Sequence, residues 1–249
     1  MNIVVPIKQV PDTGLNLQVK ESQIDESRLK WVLSPYDEFA LESALQLKQE
    51  LQAQLIVITL GPERAKEALL TALALGADTA YHLLVGKMPQ DPLSIAEGLK
   101  TKIKELSDIS LVFCGKLSTD SNNFAVPQML AQLLAFPFVS NVNKLEYKDP
   151  SFTLSRECGA GVEEVLQARL PLLISADKGL NTPRYPSLPG IMKAKKKPLH
   201  TEKIEVKENI TLKSSSPPPE KQAPYIIKGS HEEQAAELIK ILKEKEKFL

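Results

Sequence analysis

Residues 55–62 read LIVITLGP, an unbroken apolar run of strand length that a glycine and a proline end. Comparable apolar runs occupy residues 2–7 and 109–114. A strand with one exposed face alternates apolar and polar residues, whereas a strand covered on both faces is apolar throughout. These runs therefore predict buried strands of a sheet that carries helices on both of its faces.

Helical segments separate the predicted strands along the chain. Ser34 followed by Pro35 is a typical helix start, with the serine as N-cap and the proline at the first helical position. Further helices are predicted at residues 63–75, 92–106 and 123–134, and further strands at 29–33, 79–85, 152–154, 165–169 and 172–175. This alternation predicts an α/β fold, namely a Rossmann-like, mostly parallel sheet with helices on both faces.

The C-terminal part of the chain has a different character. Residues 183–227 contain many prolines and serines, and we expect them to form an extended arm without packed elements. Ser230 and Glu233 form a capping-box pattern that predicts a terminal helix. We therefore expect an α/β domain at residues 1–182 and a C-terminal arm at 183–249. The terminal helix could dock on its own domain or on a partner chain, and the sequence leaves both open.

Composition excludes several classes of protein. The chain carries 31 Lys and Arg against 31 Asp and Glu, so its formal net charge is zero; a general nucleic-acid binder needs a basic excess. Cys114 and Cys158 belong to no CxxC pair and the three histidines are scattered, so we expect reduced thiols and no metal site. The N-terminal residues do not resemble a signal peptide, and no run reaches the roughly 18 apolar residues of a membrane helix. A bacterial-type cytoplasmic location is the expectation.

The carboxyl ends of the predicted strands are the candidate ligand site. In an open parallel sheet, ligands bind beyond these ends, where helix N-termini present free N–H groups. Such ends fall at residues 6–10, 33–37, 60–62 and 115–126. Side chains that suit a phosphate there belong to Ser34, Ser118, Thr119, Ser121, Asn122 and Asn123. Since neither a Walker sequence nor GxGxxG occurs, ordinary turn chemistry remains the alternative to a nucleotide site.

Candidates for catalysis are few. Ser34 has no histidine near it in sequence, and Asp12, Asp37, Asp120 and Glu157 lie near predicted loops, where carboxylates usually cap or face water. This pattern favours a binding role over hydrolysis or group transfer.

Several blocks of sequence match a known family. They read VPIKQVPD at residues 5–12, SPYDEFA at 34–40, TALALGAD at 71–78, GK at 115–116 and LNTPRYPSLPGIMKAKKK at 180–197. The last block is the most specific, because it combines PRY, LP and IMKAKKK in this order. Through these blocks the chain resembles the beta subunit of electron-transfer flavoproteins over almost its whole length.

The resemblance implies a heterodimer with an alpha subunit, in which FAD lies mostly on alpha and beta holds a buried AMP. It also implies the adenine-nucleotide alpha-hydrolase-like variant of the Rossmann-like fold. Thr13 and Tyr36 would lie nearest the flavin. The AMP site would comprise Pro6, Ser34, Pro35, Tyr36, Asp37, Leu60, Gly115, Lys116, Leu117, Ser118, Thr119, Asp120, Ser121, Asn122, Asn123, Phe124, Ala125 and Val126.

The same resemblance implies a recognition loop in which Leu188, between two prolines, inserts into a pocket on flavin-containing dehydrogenases. The lysines of residues 193–197 would steer acidic partner surfaces, and Glu157 would restrain the mobile FAD domain of alpha. Packing of Leu188 on its own domain is the alternative. The partner-binding residues would be Leu188, Pro189, Ile191, Met192, Lys193, Lys196 and Glu157.

The implied function is to relay electrons from these dehydrogenases to a membrane-bound quinone oxidoreductase. Acyl-CoA dehydrogenases of fatty acid beta-oxidation are the expected donors. The chain would be a carrier subunit without catalysis of its own, and the redox chemistry would belong to FAD.

The phosphate loop departs from the family pattern. Residues 120–126 read DSNNFAV, in which Asn123 keeps a family asparagine while Phe124, Ala125 and Val126 replace the Gln, Thr and Gly that commonly follow. Backbone N–H groups can hold a phosphate without these side chains. Two other functions stay open. One is an electron-bifurcating flavoprotein subunit with a second FAD in place of AMP, and the other is a stand-alone universal-stress-type nucleotide-binding protein.

Overall fold

The computed structural model describes residues 1–14, 18–217, 219, 223–245 and 248. The strands are β1 (Asn2–Pro6), β2 (Gln9–Pro11), β3 (Val19–Lys20), β4 (Gln23–Ile24), β5 (Trp31–Leu33), β6 (Gln54–Gly61), β7 (Thr79–Leu84), β8 (Ile109–Gly115), β9 (Phe138–Lys148), β10 (Ser151–Glu157), β11 (Glu163–Ala168), β12 (Leu172–Ala176) and β13 (Leu199–Lys203). The helices are α1 (Pro35–Glu50), α2 (Lys66–Leu75), α3 (Pro92–Glu105), α4 (Val126–Leu134), α5 (Leu188–Ala194) and α6 (His231–Lys240). Single 3-10 turns cover Glu26–Arg28 and Glu63–Ala65, and a π-helical turn covers Ile241–Lys245.

Within the described residues, nine strands form one sheet in the order β11-β10-β9-β12-β8-β1-β6-β7-β13. The seven strands β9, β12, β8, β1, β6, β7 and β13 are neighbours in this order, and each pair of neighbours among them is parallel. Strand β10 pairs in the antiparallel sense with both β9 and β11. The short hairpins β2-β5 and β3-β4 lie in the excursion between β1 and α1. The sheet therefore has a parallel body and an antiparallel extension on one side.

The sheet has an apolar core on each face. Helices α1 and α2 cover one face, and α3 and α4 cover the other. Successive residues of a strand point to opposite faces, so Ile3 and Val5 of β1 join the first core while Val4 joins the second. The same alternation in β6, β8 and β12 explains why these strands are apolar throughout. The predicted α/β class with helices on both faces is confirmed.

The strand β9 was not predicted, although it is 11 residues long. It pairs in parallel with β12 near its start and continues into the antiparallel meander with β10 and β11. In its second half, exposed and half-buried residues alternate, so no continuous apolar run marks it. The helix predicted at residues 123–134 begins only at Val126, because the loop before it includes the left-handed residues Asn122 and Phe124, with φ of 49° and 54°.

The expectation of an arm without packed elements at residues 183–227 is wrong for its first part. Helix α5 packs against α2 there, and β13 extends the sheet by pairing in parallel with β7. Pro189 occupies the first turn of α5, where its missing N–H removes no helical hydrogen bond. Residues Met1–Ser215 form one compact unit and Ser216–Leu249 a second. The division at residue 182 into a binding domain and a docking arm stays a prediction.

The second unit contains the terminal helix α6. Its capping box is confirmed: the Ser230 hydroxyl accepts from the N–H of Glu233, and the Glu233 carboxylate accepts from the N–H of Ser230 at 2.8 Å. The apolar residues Leu238 and Ile239 remain exposed. In the part of the chain that is described, no helix combines the length and apolar character needed to cross a bilayer.

Candidate functional site

A cleft opens beyond the carboxyl ends of β1, β6 and β8, where ligands bind in folds of this kind. Its free space is about 730 Å³, a volume that includes the open solvent at its mouth. The residues that line it are Pro6, Ile7, Lys8, Asp37, Leu60, Met88, Pro89, Gln90, Ile95, Leu99, Cys114, Gly115, Leu117, Ser118, Ser121, Asn123, Val126 and Pro127.

Asp37 joins the elements that surround the cleft. Its buried carboxylate accepts hydrogen bonds from the backbone N–H groups of Lys8 at 2.8 Å and Gly115 at 3.1 Å. The first turn of α1 thereby holds the ends of β1 and β8 together. Burial raises the pKa of Asp37 to about 7, while the two N–H groups and the charge of Lys8 favour the ionised form.

Gly115 is the point of closest approach between β8 and the start of α1. A Cβ atom at this position would clash with the Oδ1 atom of Asp37 and would lie 2.7 Å from the carbonyl carbon of Tyr36. Neither neighbour can move freely, because one is backbone and the other is held by two hydrogen bonds. Only glycine therefore fits between the strand end and the helix.

The polar lining of the cleft comes mainly from Lys8 and the loop after β8. The Lys8 ammonium forms an ion pair with Asp120 at 2.7 Å and donates to the Ser118 hydroxyl at 3.3 Å. The hydroxyls of Ser118 and Ser121 share a hydrogen bond of 2.7 Å. Ammonium, hydroxyl and amide groups are the partners that a phosphate or a ribose requires.

The apolar lining comes from other elements. Leu60 is the next-to-last residue of β6, Met88 and Pro89 belong to the loop before α3, and Ile95 and Leu99 lie on α3. An apolar wall beside a few polar groups is the usual arrangement of a site for an aromatic heterocycle with a polar substituent. The cleft therefore combines an apolar wall with a few polar groups on the side of Lys8.

A second group of side chains lies beside the cleft without lining it. The Lys116 ammonium pairs with Asp177 at 2.7 Å and lies 4.9 Å from the ring centre of Tyr36 and 5.8 Å from that of Phe124. Tyr36 is half-buried and Phe124 is exposed. The Lys116 ammonium is therefore within cation–π range of both rings.

The structure brings only part of the predicted AMP site to the cleft. Ser34 stands at the N-cap of α1 as predicted, but its hydroxyl makes no capping bond and is buried without a partner among the described residues. The predicted residues that line the cleft are Pro6, Asp37, Leu60, Gly115, Leu117, Ser118, Ser121, Asn123 and Val126. Those outside its lining are Ser34, Pro35, Tyr36, Lys116, Thr119, Asp120, Asn122, Phe124 and Ala125.

The cleft also has lining residues that the sequence did not single out by name. Lys8 and Ile7 fall within the strand end expected at residues 6–10. The loop residues Met88, Pro89 and Gln90 had no signal in the sequence, because their place depends on how α3 packs beside β6. The remaining such residues are Ile95, Leu99, Cys114 and Pro127.

The residues predicted to bind partners lie mostly on the surface. Leu188, at the start of α5, is 80% exposed, Met192 is 73% exposed and the nearby Tyr185 is 94% exposed. Leu188 therefore does not pack into its own unit. Lys197 differs from the expectation, because its ammonium donates to backbone carbonyls at the C-terminal end of α2 at 3.0 and 2.6 Å. The other predicted residues that are exposed are Thr13, Glu157, Pro189, Ile191, Lys193 and Lys196, along with Lys195.

Neither cysteine belongs to a bridge: Cys114 is a buried free thiol and Cys158 an exposed one. Burial raises the pKa of the Cys114 thiol far above its usual range, so this residue stays protonated. The described ranges contain no group of three or more His, Cys, Asp or Glu side chains that could hold a metal ion.

We expect Gly115→Ala to lower the free energy of unfolding by about 2 kcal/mol or more, because the added methyl group overpacks the junction with α1. Urea denaturation of the purified chain measures the change. Gly86→Ala is the matched control, since a Cβ there meets nothing within 4 Å. Equal stability of the two variants would contradict the close approach at Gly115.

The raised pKa of Asp37 predicts a dependence of stability on pH. The native state binds this proton more tightly than the unfolded chain, whose pKa is near 3.8. The tighter binding of this proton stabilises the native state in full below about pH 4, and this stabilisation is lost as the pH rises through about 7. Relative to that of Asp37→Asn, the free energy of unfolding of the wild-type chain should fall by up to roughly 4 kcal/mol between about pH 4 and about pH 7. Urea denaturation at several pH values tests this, and a constant difference between the two chains would refute it.

Sequence relatives of this chain identify its family. A family model described as an electron transfer flavoprotein domain matches residues 22–207. The chain is 34% identical to electron transfer flavoprotein subunit beta of Bacillus subtilis over 261 aligned residues, which cover 100% of both chains. It is 36% identical to the subunit beta of Dictyostelium discoideum, covering 85% of this chain and 84% of the relative. It is 33% identical to the mitochondrial subunit beta of Arabidopsis thaliana, covering 93% and 95%. The chain therefore belongs to the electron transfer flavoprotein family, and within it to the beta subunits.

Proposed function

We propose that this chain is one half of a heterodimer, with an alpha subunit that carries most of an FAD. In this proposal it relays electrons in the cytoplasm from flavin-containing dehydrogenases, with acyl-CoA dehydrogenases as the main donors, to a quinone oxidoreductase. The flavin supplies the redox chemistry. This chain supplies the docking surface for donors, one wall beside the flavin and a site for AMP.

The exposed tip around Leu188 is the observation that carries the proposal. Leu188, Met192 and Tyr185 expose large apolar surfaces next to one another in sequence, although apolar side chains of this size normally pack into a core. Ser187 caps the start of α5 by accepting from the N–H of Gly190 at 3.2 Å. A tip with a defined backbone loses little conformational entropy when it docks, which suits an anchor for a transient partner.

The base of this tip is fixed at both ends. Before it, the guanidinium of Arg184 forms two hydrogen bonds of 2.7 Å with the buried carboxylate of Glu42 on α1. After it, Lys197 caps the end of α2. The three lysines within residues 193–196 remain exposed between these two anchors. Exposed lysines increase the rate of encounter with an acidic partner surface.

The lining of the cleft supports the AMP part of the proposal. Lys8, Ser118 and Ser121 would hold the phosphate and ribose, and the apolar wall that includes Leu60 and Leu99 would take the adenine. Tyr36 would pack beside the flavin, together with the small contact that the exposed Thr13 can offer. These residues bind and orient, and no proton or electron transfer is assigned to them.

The exposed apolar surface of the second unit supports a partner chain. Tyr225 and Ile226 are exposed before α6, and Leu238 and Ile239 are exposed on it. An amphipathic helix with an uncovered apolar stripe is suited to docking in a groove. We assign this helix to the interface with the alpha subunit, and Glu157 to a weak contact that restrains the mobile FAD domain.

Leu188→Ala should leave the flavin content of the heterodimer unchanged and slow its reduction by an acyl-CoA dehydrogenase about tenfold at low donor concentration, because the variant loses a docking anchor. Stopped-flow absorbance of the flavin measures the rate. Leu93→Ala, at a partly exposed leucine on α3, is the control. An unaltered rate in the Leu188 variant would remove the anchor assignment.

The bound ligands separate the proposal from its remaining rival, a bifurcating flavoprotein subunit; the family assignment already rules out a stand-alone universal-stress-type protein. The chain is coexpressed with its alpha subunit, the complex is denatured with acid, and the released ligands are identified by mass. We expect one FAD and one AMP per heterodimer. Two FAD molecules would indicate a bifurcating flavoprotein, and a flavin-free homo-oligomer would contradict the proposed heterodimer.

A further inference from the structure

Lys8 is the one cationic side chain that lines the cleft in the described part of the chain. Its ammonium is already engaged, since the two carboxylate oxygens of Asp120 lie 2.9 and 2.7 Å away and the hydroxyl of Ser118 lies 3.3 Å away. The two charged side chains are partly shielded from water, with 18% and 28% of their surface exposed. A phosphate in the cleft therefore meets a cation whose charge a carboxylate already balances.

The neighbouring guanidinium of Arg64 does not replace Lys8. It interacts electrostatically with Asp120, but it lies 3.2 Å from the ring centre of Trp31 and donates to the side chain of Gln9 at 3.0 Å. Stacking and hydrogen bonding hold Arg64 outside the lining of the cleft.

The start of α4 offers less to a phosphate than helix starts usually do. Pro127 lies in its first turn and has no N–H group. The preceding residues Phe124, Ala125 and Val126 carry no hydroxyl or amide group in their side chains. Lys8 is therefore the one positive side-chain charge that the described lining offers to a phosphate, beside the hydroxyl and amide groups of the loop after β8.

We propose that Asp120 is an internal competitor for the phosphate of the bound nucleotide. Its carboxylate and the phosphate are both oxyanions that require the Lys8 ammonium, and they repel each other when both approach it. Binding then exchanges one ion pair for another, so Asp120 determines how much affinity the phosphate adds to that of the nucleoside. This inference rests on the adenine-nucleotide site of the proposed function. It identifies Asp120 as the residue that sets how strongly the site prefers a phosphorylated ligand over an uncharged one.

The test compares AMP with adenosine, which lacks the phosphate, by isothermal titration of the full-length chain. Asp120→Asn should raise the affinity for AMP about tenfold and change that for adenosine by less than about twofold. If asparagine perturbs the loop, Asp120→Ala should give the same gain. Circular dichroism and thermal unfolding establish that each variant is folded.

A double-mutant cycle distinguishes competition for Lys8 from general repulsion. Lys8→Met should weaken AMP binding and leave adenosine binding unchanged. In the Lys8→Met background, Asp120→Asn should raise AMP affinity by less than about threefold, because there is no Lys8 ammonium that the substitution could free for the phosphate. Asp177→Asn is the matched control: it removes the same charge from a carboxylate whose partner, Lys116, lies outside the lining of the cleft.

The outcomes separate this inference from the proposed function. If AMP and adenosine bind but Asp120→Asn leaves AMP affinity unchanged or weakens it, the competitor role is overturned and the adenine site stands. An equal gain in the presence and absence of Lys8 also overturns it. If neither ligand binds to the wild-type chain or to any variant, both the inference and the adenine site fail.

Discussion

The site depends on the hydrogen bonds that the backbone N–H groups of Lys8 and Gly115 donate to the carboxylate of Asp37. These residues come from the ends of β1 and β8 and from the first turn of α1. The carboxylate can stay buried because the N–H groups replace water as its partners. The rest of the cleft is positioned from this junction: the side chain of Lys8 follows β1, and the loop that carries Ser118 and Asp120 follows β8.

The two helical layers of the fold meet at this cleft. Helix α1 belongs to one face of the sheet, whereas α3 and α4 belong to the other. At the carboxyl edge, Asp37 from the first layer lines the same cleft as Leu99 and Pro127 from the second. A ligand bound in the cleft would therefore contact both layers.

The cleft and the exposed tip carry charge in different ways. In the cleft, Asp120 balances the charge of Lys8 at short range; in our proposal, ligand affinity then reflects a difference between two ion pairs. On the tip, Lys193 and Lys195 are exposed; in our proposal, their charges act at long range on the rate of encounter with a partner. Both ends of the tip are fixed to α1 and α2. This division is what the proposed function, one retained ligand and exchanging redox partners, would require.

Local features of the sequence were enough to predict the α/β class, the buried central strands, the capping box of α6 and the flavoprotein family, because apolar runs, caps and specific motifs are short. They also predicted the segments that carry Asp37 and Gly115. The ion pair of Lys8 with Asp120, the wall formed by Met88, the place of β9 and the packing of α5 were not predictable in this way, because they depend on which distant segments meet. Residues 8 and 120 are far apart in the chain, and their contact exists only because the order of strands in the sheet places β1 beside β8.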